Sequence, residues 1–129
     1  MHPDGMPLGE VSPLTCPDCH GTLSEIDDNA FLRFRCHTGH AFTAEALRAA
    51  QSEAWERALY SVLRTQEEQS LLARRLASDA KERGALRSRE FYELRAEEYE
   101  EGAEIVRRLL ARGQEAEPNL AAEPQGSAA

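Results

Sequence analysis

The sequence predicts a mostly α-helical protein with a small β element, in which a β-hairpin near the N-terminus is followed by a long antiparallel α-helical hairpin. Two observations predict this fold. Residues 22–35 contain two short runs that alternate in polarity, whereas apolar residues recur every three or four positions from Thr43 onward. No proline or glycine interrupts the second pattern before Gly84, so its first helix should be long.

The β element is predicted from two runs of residues that flank a polar turn. The strands are expected at 22–26 and 31–35, around the turn at 27–29. With a two-residue period, Leu32 and Phe34 share one face of the second strand. That apolar face should pack against a neighbouring helix, because about forty residues hold too little core to fold alone.

The two helices are predicted at about 43–83 and 88–112, with Thr43 as N-cap and a turn around Gly84. The apolar stripes run through Leu47, Trp55, Leu59, Val62, Ala73, Leu76 and Ala80, and then through Phe91, Leu94, Tyr99, Ile105, Val106 and Leu109. Gln66 and Gln69 interrupt the first stripe, either as an exposed stretch or as a polar layer that sets register. Two such helices joined by a short turn should fold back on each other, and such a hairpin is also compatible with a homodimer through the helices.

The first helix is predicted to be longer than the second, so its first fifteen or so residues should lack a helical neighbour. We expect the β element to cover this segment, with Leu47 and Trp55 contacting Leu32 and Phe34. The domain organisation that follows is a disordered tail at 1–12, the β element at 13–42, the helical hairpin at 43–113 and a second disordered tail at 114–129.

All three cysteines of the chain lie in or beside the β element, in a pattern typical of a zinc ribbon. Cys16 and Cys19 form a Cys-x2-Cys pair, and after sixteen residues Cys36 begins a Cys-x3-His sequence that ends at His40. Three sulfurs and one nitrogen are a common ligand set for a closed, tetrahedral structural zinc site. We therefore predict a structural Zn²⁺ held by Cys16, Cys19, Cys36 and His40.

The fourth ligand is the least determined of these, because His20 and His37 also adjoin cysteines. His40 is favoured because Gly39 can adopt the positive φ that returns the chain to the metal. A disulfide or a redox pair is less favoured, because the cysteine count is odd and no βαβ pattern surrounds Cys16 and Cys19. A catalytic zinc with an open position would require His40 not to bind, with Asp18 or His37 as general base.

The charge distribution argues against nucleic-acid binding. Residues 1–42 carry six acidic and two basic residues, so the zinc-binding block lacks the basic face that phosphate contacts require. The sequence also shows no apolar run long enough for a membrane span and no leader peptide, which predicts a cytoplasmic protein without membrane partners.

The motifs CPDCHGTL and LRFRCHTGHAFT, followed by a long helix, resemble the extension found after the catalytic domain in some bacterial CheB-type chemotaxis methylesterases. The resemblance covers roughly residues 14–112, and the matched positions include Cys16, Cys19, Cys36, Gly39 and His40. His20 stands where that family usually has glycine, and Ser24 where it often has tryptophan. The serine, histidine and aspartate of the methylesterase reaction belong to a separate domain that this sequence does not match.

The resemblance implies a non-enzymatic, zinc-binding protein-interaction module, accessory or regulatory in bacterial chemotaxis or two-component signalling, with chemotaxis or histidine-kinase components as partners. One alternative is a DnaK-suppressor-like transcription factor that binds RNA polymerase through a helical hairpin. Its acidic hairpin tip does not match residues 81–87, which carry net positive charge. Another is the C-terminal fragment of a chemotaxis methylesterase.

Overall fold

The computed structural model describes residues 9–27 and 31–113. The strands are β1 (Glu10–Thr15), β2 (Thr22–Asp27), β3 (Leu32–Cys36) and β4 (Ala41–Thr43), and the helices are α1 (Ala44–Glu82) and α2 (Leu86–Gly113). The predicted fold class, mostly helical with a small N-terminal β element, is confirmed. The chain divides after Ala58 into two compact units.

The four strands form one antiparallel sheet in the order of the sequence. Strands β2 and β3 are the predicted hairpin, paired from Leu23 opposite Cys36 to Asp27 opposite Leu32. Strand β1 pairs with β2 and strand β4 with β3, so both edges of the hairpin are extended by strands that the sequence analysis missed.

Strand β1 corrects the predicted N-terminal tail, because residues 10–12 belong to the sheet. The strand was not predicted because it contains Pro13, and proline cannot donate a hydrogen bond to a β-ladder. Proline is tolerated here because β1 is an edge strand. The register shifts between Val11 and Thr15. The remaining tail residues, 1–8 and 114–129, lie outside the described part of the chain.

The core of the first unit lies between the sheet and the start of α1. Leu23 and Phe34 from the sheet pack with Leu47 of α1 and with Cys16 and Cys36. Leu47 therefore packs against the sheet, as the sequence predicted. Trp55 and Leu32, which were expected at the same interface, lie outside this core with 47% and 41% of their surfaces exposed.

Local hydrogen bonds mark both ends of α1. The backbone N–H of Ala46 donates to Thr43 Oγ1 over 3.0 Å, so Thr43 ends β4 and also caps α1. At the other end, Gly84 adopts a φ of +70°. Its N–H donates to Lys81 O and that of Ala85 to Ala80 O, the two bonds of a Schellman motif. This compact ending lets α2 begin at Leu86, two residues before its predicted start.

In the second unit, α2 runs antiparallel to the part of α1 after Ala58, because Arg74 pairs with Glu100 and Glu67 with Arg107. The buried residues of this pair are mostly small, namely Ser70, Ala73, Ala77, Ala80, Ala96, Ala103, Val106 and Leu110. The predicted stripe is thus wrong for several large residues: Val62, Phe91, Leu94 and Ile105 are 44–57% exposed. The burial of small residues in their place is consistent with backbones that approach closely.

Among the described residues, neither helix is long and apolar enough to cross a bilayer.

Candidate metal centre

The structure brings together the four residues that the sequence analysis named as metal ligands. The ligand atoms of Cys16, Cys19, Cys36 and His40 all lie within 4.8 Å of one another. Cys16 and Cys36 are buried, whereas Cys19 is exposed and His40 is half-buried. The cluster therefore lies at the edge of the first unit, with two of its sulfurs anchored in the core.

The first ligand pair is held by a tight turn between β1 and β2. Cys16 N–H donates to Gly21 O over 2.7 Å, and His20 N–H donates to Cys16 O over 2.8 Å, which curls the chain so that Cys19 turns back toward Cys16. His20 has a φ of +62°, a left-handed conformation that is costly for a residue with a Cβ atom. Its own side chain is exposed and does not belong to the cluster.

The second ligand pair is held by the turn between β3 and β4. Cys36 N–H donates to His40 O over 3.0 Å, and Gly39 N–H donates to Cys36 O over 3.2 Å. Gly39 adopts a φ of +99°, the positive angle on which the choice of His40 rested. His37 is exposed and lies outside the cluster, so the structure brings His40 alone of the three neighbouring histidines to the sulfurs.

The distances within the cluster fit a tetrahedral metal ion. The Sγ atoms of Cys19 and Cys36 are 3.7 Å apart. A tetrahedron built on metal–sulfur bonds of about 2.3 Å has an edge of about 3.8 Å. His40 Nδ1 lies 3.7 Å from Cys16 Sγ and 3.2 Å from Cys36 Sγ, so this nitrogen, rather than Nε2, faces the sulfurs. The four residues can therefore hold a metal ion without a change of fold.

Thr38 is a further member of the centre, and the sequence analysis missed it. Its hydroxyl Oγ1 lies 3.0 Å from Cys36 Sγ, 3.0 Å from His40 Nδ1 and 3.5 Å from Cys19 Sγ. Hydroxyl hydrogen bonds to metal-bound thiolates stabilise their negative charge and orient them. The sequence places Thr38 between Cys36 and His40 in one turn, which could have indicated its role. It was missed because the spacing rules for metal ligands consider cysteine and histidine but not hydroxyl side chains.

The electrostatics of the cluster favour thiolates at two of the three cysteines. Burial acts to raise the pKa of Cys36, but hydrogen bonds from Thr38 and His40 outweigh it and lower that pKa to about 5. The hydrogen bond from Thr38, helped by the backbone at Gly21 and by His40, also lowers the pKa of Cys19. At Cys16, by contrast, burial raises the pKa of the thiol.

The same cysteines shift the pKa of His40 upward. Its hydrogen bonds to Cys19 and Cys36 raise the pKa of the imidazole, because a positive ring is stabilised beside two thiolates. In the metal-free chain a protonated His40 can thus supply part of the positive charge that a bound cation would supply. Metal binding must displace this proton, since imidazole binds metals in its neutral form.

Comparisons of the chain with protein-family models, with curated proteins and with solved structures gave no match. With a metal ion bound, the four residues would complete a tetrahedral coordination shell.

Proposed function

We propose that this protein is a non-catalytic zinc-binding module that binds another protein, and that it serves as an accessory or regulatory part of bacterial chemotaxis or two-component signalling. The observation that carries the proposal is the cluster of Cys16, Cys19, Cys36 and His40, whose ligand atoms lie within 4.8 Å of one another. The signalling context rests on the resemblance of its two cysteine turns to the extension of CheB-type methylesterases.

Zinc is the metal that this ligand set favours. Thiolates and imidazole suit zinc, and three sulfurs with one nitrogen are a frequent structural set. The residues around the ligands support a folding role, because Cys16 and Cys36 lie in the core with Leu23, Phe34 and Leu47. In a unit with so small a core, the free energy of metal binding contributes directly to folding.

Exposed apolar side chains on the zinc ribbon support a protein as its partner. Val11 on the edge strand is 78% exposed, and Phe31 and Leu32 at the start of β3 are 65% and 41% exposed. Phe31 and Leu32 are adjacent in the sequence and together form one exposed apolar spot, which a protein partner would cover. We expect Phe31, the most exposed aromatic residue of the ribbon, to contribute to binding.

Affinity capture with the intact chain tests this proposal. The wild-type protein should copurify with about one zinc per chain and should enrich chemoreceptor or histidine-kinase components from a bacterial extract. The variant Phe31→Asp should retain zinc and lose the partner, whereas Cys16→Ser should lose both. Enrichment of RNA polymerase instead would favour the DnaK-suppressor-like alternative, and a protein that takes up no zinc after reduction would refute the metal assignment.

A further inference from the structure

The two sides of the helix pair formed by residues 59–82 and α2 differ in character. On one side, two salt bridges join the helices. Arg74 donates from Nε and Nη2 to both carboxylate oxygens of Glu100, over 3.2 and 3.1 Å, and Arg107 donates to Glu67 over 2.8 Å. These charged side chains are about half exposed, so this side is a solvated surface.

The other side carries a groove lined mainly by apolar and aromatic side chains. We call it the apolar groove and define it by Val62, Gln69, Leu72 and Leu76 of α1 with Phe91 and Tyr99 of α2. Gln69 and Tyr99 line both of its halves, so the groove is continuous along the helix pair. Leu72 and Phe91 are 53% and 51% exposed, and the guanidinium of Arg95 lies 5.3 Å from the ring centre of Phe91.

The groove exists because the helices meet through small residues. Ala77 and Ala96 are 5% and 0% exposed, and a Cβ atom at Gly102 would lie 2.9 Å from Gln66 Nε2. Apart from Val106 and Leu110, the buried residues of this seam are alanine and serine, which bury little apolar area, so the hydrophobic effect from this pair alone is modest. The leucine and aromatic side chains that could add to it are left in the groove.

We propose that a second copy of this chain covers the apolar groove, so that two helix pairs form a two-fold symmetric four-helix bundle. The size of the face fits such an interface. The part of α1 in this pair, residues 59–82, extends about 36 Å, and two adjacent helices are about 18–20 Å wide, which gives a face of roughly 700 Å² per copy. A standard stable interface buries roughly 800 Å² on each partner.

Charge also favours a second copy over a partner of strong charge. Residues 59–113 carry eleven acidic and eleven basic side chains, so two identical units meet without net repulsion. A highly acidic or basic partner would gain no steering from this unit. The face is therefore suited to a self-complementary contact, in which each copy presents the same residues to the other.

A glutamine in the apolar groove can give the interface a register. Gln69 lines both halves of the groove, and its amide carries both donors and acceptors. In a symmetric dimer the Gln69 amides of the two copies can pair with each other, and one such polar layer fixes register in helical bundles.

Two adjacent leucines provide a matched test by light scattering coupled to size exclusion. Leu72 lies in the groove, whereas Leu71, which is 69% exposed, does not line it. Wild-type protein at micromolar concentration should have twice the mass of one chain. Leu72→Glu should raise the dimer dissociation constant about 30-fold or more, since burying a carboxylate at an interface centre has at least the effect of losing a hot spot. Leu71→Glu should leave it within about 3-fold, as for an exposed residue.

A second variant and a metal-free control keep the test decisive. Phe91→Asp should weaken dimerisation from the other helix, and circular dichroism should show that both variants stay helical. Cys16→Ser should lose the metal but remain dimeric, which separates this proposal from the proposed function. A monomeric wild type at tens of micromolar, or equal effects of Leu71→Glu and Leu72→Glu, would overturn it. So would a monomer that instead binds a helix of another protein through the groove.

Discussion

The Sγ atoms of Cys19 and Cys36 lie 3.7 Å apart although the two residues are seventeen positions apart in the sequence. Cys19 lies in the turn before β2, and Cys36 is the last residue of β3, where the next turn begins. The paired strands bring these two turns together. The sheet therefore assembles the ligand set, and a metal ion would lock the two turns in place.

Replacing His40 by alanine should weaken zinc retention much more than replacing His37. His40 Nδ1 lies 3.2 Å from Cys36 Sγ, whereas His37 is exposed and outside the cluster. Replacing a residue that only hydrogen-bonds to a metal ligand weakens metal binding by about 10-fold or more. Loss of one of the four ligands should therefore raise the zinc dissociation constant by at least about 10-fold. Competition with a chromophoric chelator measures both variants, and the reverse order would assign the fourth position to His37.

Replacing Cys19 by serine should loosen the ribbon and leave most of the helical structure intact. Cys19 belongs to the first unit, while the salt bridges and the buried alanines of the second unit do not involve the metal centre. Hydrogen exchange should quicken over β1 to β4, and circular dichroism at 222 nm should keep most of its amplitude. A global loss of helix would show that the second unit depends on the metal.

Gly39→Ala should destabilise the ribbon by about 1–2 kcal/mol, the cost of a Cβ atom in left-handed backbone. The φ of Gly39 is +99°, and nothing lies within 4 Å of the added Cβ atom, so strain in the backbone is the only expected cause. Gly21→Ala is the control, because Gly21 has no positive φ and the added atom would lie 3.4 Å from Cys19 Sγ. Thermal unfolding of the zinc-bound proteins should rank Gly39→Ala below Gly21→Ala; equal stabilities would contradict the strain argument.

Zinc affinity should fall as the pH is lowered, with different ligands responsible in different pH ranges. Zinc needs thiolates and neutral imidazole, so protons compete wherever a ligand has a raised pKa. Cys16 and His40 both have raised pKa values and should bind protons first, whereas Cys36, with a pKa of about 5, should add to the competition only near that pH. Chelator competition at a series of pH values between 8 and 5 checks this, and a constant affinity would contradict it.

Ala96→Leu should destabilise the helical unit by about 1–3 kcal/mol, because an isobutyl group in place of a methyl group overpacks a filled seam. Ala96 is 0% exposed, and most of the buried residues of the helix pair are small. Ala111→Leu is the control, since Ala111 is exposed on the same helix and gains no clash. Urea unfolding followed by circular dichroism compares the two, and a neutral Ala96→Leu would show that the seam has room to adjust.

The sequence predicted the clustering of the three cysteines and His40, because ligand chemistry restricts both residue type and spacing. The positive φ of Gly39 could be argued from a single turn, since only glycine adopts it without strain. Thr38 could not be found in this way, because a hydroxyl near a thiolate follows from the folded turn and not from a spacing rule.

The helix pair was harder to read because period alone does not show which face meets the neighbour. Phe91, Leu94 and Ile105 follow a helical period but stay exposed, while Ala96 and Ala103 fill the seam. A prediction from hydrophobicity places large apolar side chains in the buried face before alanine. A seam between packed helices has little volume, however, and small side chains fill it. Strand β1 was missed for a related reason, since Pro13 is unfavourable in a strand by propensity and acceptable at an edge.

Thr43 is both the last residue of β4 and the cap of α1, so sheet and helix are joined without a spacer. Each residue added at this junction would rotate the helix by about 100° and move it forward by about 1.5 Å. Leu47 would then leave the core that it shares with Phe34. Chain length at this point is consequently under much tighter constraint than residue identity, and insertions should be tolerated at the Gly84 turn but not between His40 and Leu47.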